Sequence, residues 1–460
     1  MARKLFTVTD LGGGDGGKGG VVDKICNLKK AHTVIKVGGA QGSHGVRTSA
    51  GQSFNFSQFG CGTFRGSKTY VSELMLISPH FLINEGLELK DRFGINNIFD
   101  TISVDENALC LTPFHLVTSQ LRELDRGDKP KGTVGLGAGE AKVDSEKYPE
   151  LAIYAKDLGD DNLTDKLEAL KVQKLKDLAE IIDRVSTFCP ADKILAEELL
   201  VFLNDSTLIE KTVEWFKALK SLVRITDRDY LGGILKKDGT VVVESSHGIL
   251  TDRYYGFSPH TSQLRTTPEA TLKLLNDCDY DGQIIKLGVS RAYQIRHGAG
   301  PMVTESSQWL EKILPDSSKD ENRYQGKVRI GPLDFVALRY AINVCGGPQF
   351  FDGLAISWFD QIKAIGNWQV CSSYQNAVDN NFFIDGEIKV CREGGLKQLD
   401  YQNQLTQKIF GCKPNITSYD IFGKSQKELI DFSSEILQQE LQVPLSMISF
   451  GPTESDKICI

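Results

Sequence analysis

Leu5-Phe6-Thr7-Val8-Thr9 runs into Gly12-Gly13-Gly14-Asp15-Gly16-Gly17-Lys18-Gly19-Gly20, and Val21-Val22-Asp23-Lys24 then resumes a helical pattern. A buried strand, a glycine turn and a helix in that order predict a phosphate-binding loop. Residues without a Cβ let consecutive backbone N–H groups converge on phosphate oxygens, and the helix N-terminus adds partial positive charge. Gly12, Gly17 and Lys18 satisfy the pattern GxxxxGK, but Gly19 follows where a Ser or Thr would ligate magnesium. Asp15, inside the loop, is placed to supply that oxygen, because magnesium prefers carboxylate and phosphate oxygens. The competing reading is a flexible turn with Lys18 and Asp15 solvated. The strand before, the helix after and the lysine in register favour phosphate, and with it a magnesium-dependent enzyme that moves the terminal phosphoryl group of a nucleoside triphosphate.

Outward from the loop, β-branched runs recur at Thr33 to Val37, Val241 to Val243, Gln283 to Val289, Leu354 to Ser357 and Met447 to Phe450, each followed by Gly, Ser, Asn or Asp. Helical stretches separate them. The expected fold is α/β, a P-loop-type, mostly parallel central sheet flanked by helices, with ligands beyond the carboxyl ends of the strands. Residues 161–224 differ: Leu167, Leu170, Leu175, Leu178, Ile182 and Val185 recur at helical spacing among Lys, Asp and Glu. This predicts a helical subdomain within a single domain spanning 1–460, its apolar stripe facing the parent core rather than a partner. Val370 to Val390, with Asp385-Gly386 as turn, predicts a small antiparallel hairpin.

The 460 residues carry a net charge of -7, with 40% apolar and 25% charged residues. That balance is ordinary for a folded protein and argues against a nucleic-acid or membrane-surface binder, which needs a basic face. The ten cysteines form no CxxC pair or metal-like spacing, so they read as reduced thiols. With no apolar leader or bilayer-length run, the cytoplasm is the expected compartment.

The glycine loop resembles the GDEGKGK motif of the adenylosuccinate synthetase family, and further matches follow in order. Gly38-Gly39-Ala40-Gln41-Gly42-Ser43-His44 resembles that family's second glycine loop, which ends in a catalytic histidine. Gly132-Thr133-Val134-Gly135-Leu136-Gly137-Ala138-Gly139 is similar to GTTGRGIGP, and Glu244-Ser245-Ser246-His247-Gly248 to EGAQG. Arg296-His297-Gly298-Ala299-Gly300-Pro301 with Thr304-Glu305 is similar to RVGAGP and its following TE. Gly331-Pro332-Leu333-Asp334 sits where the family has TGWLD, and Ser449-Phe450-Gly451-Pro452 resembles STGP.

The resemblance implies a two-step ligase. The 6-oxygen of inosine monophosphate attacks the γ-phosphorus of GTP, and the amine of aspartate then displaces phosphate. Asp15 would be the base on purine N1 as well as a magnesium ligand, because a neutral lactam oxygen is a poor nucleophile until the ring loses its proton. His44, with Lys18, would stabilise charge on the transferred phosphoryl group. The Gly42 carbonyl would complete the metal shell. Gly14, Gly16, Gly17, Gly19, Arg329, Ser449, Gly451 and Pro452 fall to the triphosphate. Gln41, Thr133, His247, Ser262 and Arg296 fall to the acceptor, and Lys327 with Arg329 to the amino acid.

Several specificity positions depart from the family. Val134 and Leu136 replace a threonine and an arginine, His247 replaces a glutamine, and the arginine-rich amino-acid loop shrinks to Tyr324 to Pro332. Guanine selection in the family uses the aspartate of TKLD, whereas this chain reads Leu354-Ala355-Ile356-Ser357-Trp358, with the next carboxylate at Asp360. Readings with another acceptor such as deoxyguanylate, another amine, or ATP in place of GTP therefore stay open, as does a noncatalytic nucleotide-binding protein. The family forms homodimers in which the partner sends an arginine into the acceptor site; Tyr148 to Leu158 offers only Lys156.

Overall fold

The computed structural model describes residues 3–314 and 323–460. At its centre runs β1 (Lys4–Asp10), paired in parallel with the Gln283–Arg291 strand on one side and the Thr240–Ser245 strand on the other. The first flank continues through Gly353–Ser357 and Leu445–Ser449 to an antiparallel edge strand, Lys457–Cys459. The second continues through β2 (Thr33–Gly39), Lys68–Ile77, Ile102–Asp105 and Arg224–Thr226, all in parallel. All six runs marked by β-branched residues thus lie in one sheet.

Those runs are continuous rather than alternating because both faces of the sheet are covered. Phe6 and Val8 pack with Val21, Val22 and Ile25 of α1 (Lys18–Lys29). On the opposite face Leu5 joins Ile35, Val241, Val243 and the Leu231 and Leu274 helices. Helices Leu163–Arg184, Pro190–Asn204 and Leu208–Leu222 occupy most of residues 161–224. Leu167, Leu170, Leu178 and Val185 are buried in the same cluster as α1, with Leu175 and Ile182 packed at its edge.

The hairpin is smaller than its sequence interval suggests. Only Phe383–Ile384 and Glu387–Ile388 pair across the turn, where Asp385 and Gly386 both take positive φ (53° and 82°), the twist that a two-residue hairpin needs. The Asn367–Gln375 strand pairs instead with Lys413–Asp420, a non-local partner. All ten cysteines are free thiols. No helix among the described residues is long and apolar enough to cross a membrane.

Candidate active site

A cavity of about 480 Å³ opens beyond the carboxyl ends of the central strands. β1 delivers the glycine loop to it, β2 delivers Gln41 to His44, and the Thr240–Ser245 strand delivers His247. The loop turns through positive φ at Gly14, Asp15 and Gly17 (109°, 58° and 91°). At Gly17 a Cβ would meet the Ser357 hydroxyl at 2.7 Å, so close passage of the neighbouring strand end enforces glycine there.

Lys18 and Asp15 both line the cavity, in different settings. Lys18 is buried, its Nζ 2.7 Å from Asp10 Oδ2 and 2.9 Å from the His247 carbonyl. Asp15 is 46% exposed, with Oδ2 3.2 Å from His297 Nε2, and its own carbonyl accepts from Arg291 Nε. Burial acts to raise the Asp15 carboxyl. The hydrogen bond and charge of His297, with Arg291 and Lys18 behind it, outweigh burial and hold the group well below the usual carboxylate range. An accessible carboxylate that is anionic near neutral pH suits a hard divalent cation, and the Gly42 backbone lines the same space.

His44 is buried, with Nδ1 2.5 Å from Glu244 Oε1; the same oxygen takes Lys36 Nζ at 2.8 Å, and Oε2 takes the Cys61 N–H at 2.8 Å. Burial lowers the His44 pKa against the pull of Glu244, so the ring is neutral near pH 7. Glu244, an anion, can only accept, which fixes the Nδ1–H tautomer and turns Nε2 to the cavity. His44, Cys61 and Glu244 stand close enough to share a metal ion, but the Lys36 ammonium already balances that carboxylate.

The opposite wall is underfilled. Gln41 Nε2 lies 3.2 Å from His247 Nε2, while Gln41 Oε1, His247 Nδ1 and His260 Nδ1 are buried without a hydrogen-bond partner among the described residues. An unmet buried polar atom costs about 1–3 kcal/mol, so these three favour contact with a further polar group. His247, at φ 62°, is pushed down to about 4 by burial and then by the charge of Lys18, and is neutral. Thr133 and Ser262 accept backbone N–H groups from Gly135 and Leu264, leaving each hydroxyl proton to donate. Arg296 is buried and bonded to the Ala299 and His260 carbonyls. Burial and Arg329 bring its pKa down to about 9, so it stays charged.

Other candidates lie outside this lining. Arg329 donates to the Gly298 and Gly300 carbonyls and pairs with Glu305, bracing the 298–300 turn. Lys327 also lies off the lining. Gly16 and Gly19 sit behind the loop surface, Gly19 against His44 and Gly45. Ser449, Gly451 and Pro452 also lie off the lining; the Pro452 carbonyl accepts from Lys457 Nζ, whose side chain abuts Gly20 of α1. The cavity adds residues the motifs did not reveal: Arg122, Arg126 and Lys131 along the Thr133 wall, and His297 beside Asp15. The sequence signal for the three cations is a basic interval before Gly132, which also suits a solvated helix end; His297 lies inside a quoted motif, but nothing in the motif pairs it with Asp15.

A family model described as "Adenylosuccinate synthetase" matches residues 8–458. Among curated proteins, the chain is 23% identical over 454 residues to adenylosuccinate synthetase of Borrelia duttonii, covering 97% of this chain and 96% of that one. It is 25% identical over 455 residues to that of Vibrio vulnificus, covering 97% and 95%. Among solved structures, fully ligated adenylosuccinate synthetase from Plasmodium falciparum superimposes with a TM-score of 0.74 at 16% identity, covering 99% of each chain. Cyanophage S-2L succinoaminodeoxyadenylate synthetase, bound to dGMP and to dATP as an energy donor, superimposes with a TM-score of 0.59 at 14% identity, covering 100% of this chain and 96% of that one. Continuous along the motifs that shape the cavity, the family match makes this chain a member of the adenylosuccinate synthetase family of ligases.

Proposed function

We propose that this protein uses a nucleoside triphosphate to phosphorylate the 6-oxygen of a purine monophosphate, inosinate first among them, and then joins the amine of aspartate to C6. The observation carrying this reading is that Asp15, Lys18 and His44 share one cavity with the unmet polar atoms of Gln41, His247 and His260. Asp15 takes the N1 proton, so that the lactam oxygen attacks the γ-phosphorus. Lys18 and His44 face the charge that grows on the transferred group, and a polyanion beside His44 favours its protonated form. Asp15 and the Gly42 carbonyl would hold magnesium, which neutralises triphosphate charge when bound.

Cations for the acceptor's 5'-phosphate come from Arg122, Arg126 and Lys131, which line the wall shared with Thr133 and stand in for the arginine whose place Leu136 takes. Arg122→Ala and Lys131→Ala are each expected to raise the acceptor KM about tenfold or more, the worth of one charge-assisted hydrogen bond, with kcat changed less than about threefold. Steady-state kinetics with saturating triphosphate check this; an unchanged KM removes the assignment.

The donor base falls at the end of the Gly353–Ser357 strand, whose Ser357 hydroxyl donates to the Gly16 carbonyl. Although Trp358 and Phe359 depart from TKLD, Asp360 stands at the fourth position of a frame begun at Ser357, and this supports giving it the role of the guanine-reading carboxylate. Asp360 starts the Phe359–Ile365 helix, and Trp358 carries the Arg291 guanidinium 4.3 Å over its ring. GTP is therefore the expected donor. Asp360→Ala is expected to reduce the GTP-over-ATP ratio of kcat/KM by about 100-fold, because the guanine edge would lose a carboxylate acceptor for its N–H groups. A wild-type enzyme preferring ATP would remove this part.

The whole reading is tested by incubating protein and magnesium with GTP or ATP, a panel of purine monophosphates that includes deoxyguanylate, and several amino acids, while following phosphate release and product mass. Release with inosinate and aspartate is expected. Release with another combination moves the specificity, and tight triphosphate binding without release leaves a noncatalytic binder.

A further inference from the structure

The glycine loop already encloses an anion of its own. Asp10, the last residue of β1, accepts the Gly12 N–H through Oδ1 and the Gly16 N–H through Oδ2, each at 2.8 Å, and Oδ2 also binds Lys18 Nζ at 2.7 Å. The Asp10 and Lys18 side chains are 0% and 2% exposed. Lys18 has three N–H donors. One goes to Asp10 and one to the His247 carbonyl, leaving the third for the cavity that Lys18 lines. Gly16 gives an independent observation. An ideal Cβ there would lie 2.8 Å from Asp10 Oδ2 and 3.0 Å from its Cγ, so the carboxylate fills the space of a side chain at 16. The GDEGKGK motif carries a glutamate at that place; here the loop's carboxylate comes from residue 10.

We propose that Asp10 is a positioning residue for phosphoryl transfer, which tethers Lys18 from beneath the loop so that its remaining N–H addresses the γ-phosphate. The proposal rests on the loop receiving a triphosphate. A buried carboxylate that takes three donors fixes the ammonium far more tightly than water would. Lys18 is thus aligned before the nucleotide arrives and keeps its tether during transfer, so the benefit falls on the rate rather than on nucleotide affinity.

Asp10→Asn is expected to lower kcat on the order of 30-fold with the triphosphate KM changed less than about threefold. A second, compensated variant separates positioning from loop integrity. Asp10→Gly and Gly16→Glu are each expected to be impaired, the second by collision with Asp10. The double variant, with its carboxylate returned from the other side, is expected to exceed either single variant in kcat at least about tenfold. Wild-type kcat in Asp10→Asn, or a double variant no faster than Asp10→Gly, overturns the proposal. Lys18→Ala is the control for the underlying reading. If it alone abolishes turnover, the loop reading stands whatever Asp10 does; if it has no effect, the loop reading itself fails.

Discussion

Asp15→Asn is expected to lower kcat about 1,000-fold while triphosphate affinity without magnesium stays within a few-fold. General-base contributions run to about 100–10,000-fold, and asparagine also loses the anionic metal ligand. The Asp15 carboxylate is held well below the ordinary range by His297, Arg291 and Lys18 against the opposing effect of burial, so its basic form persists at every pH near neutrality. Activity should consequently show no acid limb attributable to this group until the solution is strongly acidic. His297→Ala removes the nearest of those partners and should move such a limb toward neutral pH. Pre-steady-state phosphate release and a pH profile of kcat/KM give the readout. Asp15→Asn with near wild-type turnover would sink the mechanism as stated.

Glu244→Gln is expected to cost stability and rate together. The residue is completely buried between Lys36 and His44, and removing one member of such a set typically costs about 3–5 kcal/mol because the partner charge stays behind. Burial alone would raise the Glu244 pKa, but Lys36 and His44 overcome it and hold the group well below its ordinary value. A depressed carboxylate contributes stability above its unfolded pKa of about 4.3 and loses it only as pH falls through the folded value. The gap between wild type and Glu244→Gln, measured by denaturant unfolding, should therefore be widest near neutral pH and close only in strong acid. The kcat should also fall, since the neutral amide leaves His44 and Lys36 to share one weaker acceptor oxygen and sets an NH2 donor against the Cys61 N–H. A variant as stable as wild type would show that the buried charges are not coupled as described.

Features fixed by local backbone chemistry were legible in the sequence. The strand, glycine turn and helix at residues 5–24, the Asp385-Gly386 turn and the long apolar strands each follow from a few adjacent residues. Pairings between distant residues were not. Glu244 and His44 are 200 positions apart, and neither the pattern EGAQG nor a histidine among glycines announces that they touch. Lys36 interrupts an apolar strand and looks like an ordinary exposed edge until Glu244 is found opposite. Arg329 has the right charge for a ligand, but the nearby 298–300 turn leaves carbonyls that claim its guanidinium. The Asn367–Gln375 strand pairs with Lys413–Asp420, a distant segment that no local turn signal announces.

On the proposed reading, the reacting groups hang from the ends of three adjoining central strands, while the acceptor, though it shares Gln41 and His247 with those ends, draws its cations from the 122–136 stretch and the donor base lies at the turn after Ser357. Chemistry and much of the address would thus be written on separate parts of the chain. An enzyme built in this way can be re-addressed to new nucleotides by exchanging peripheral pieces one at a time, with the engine left running throughout.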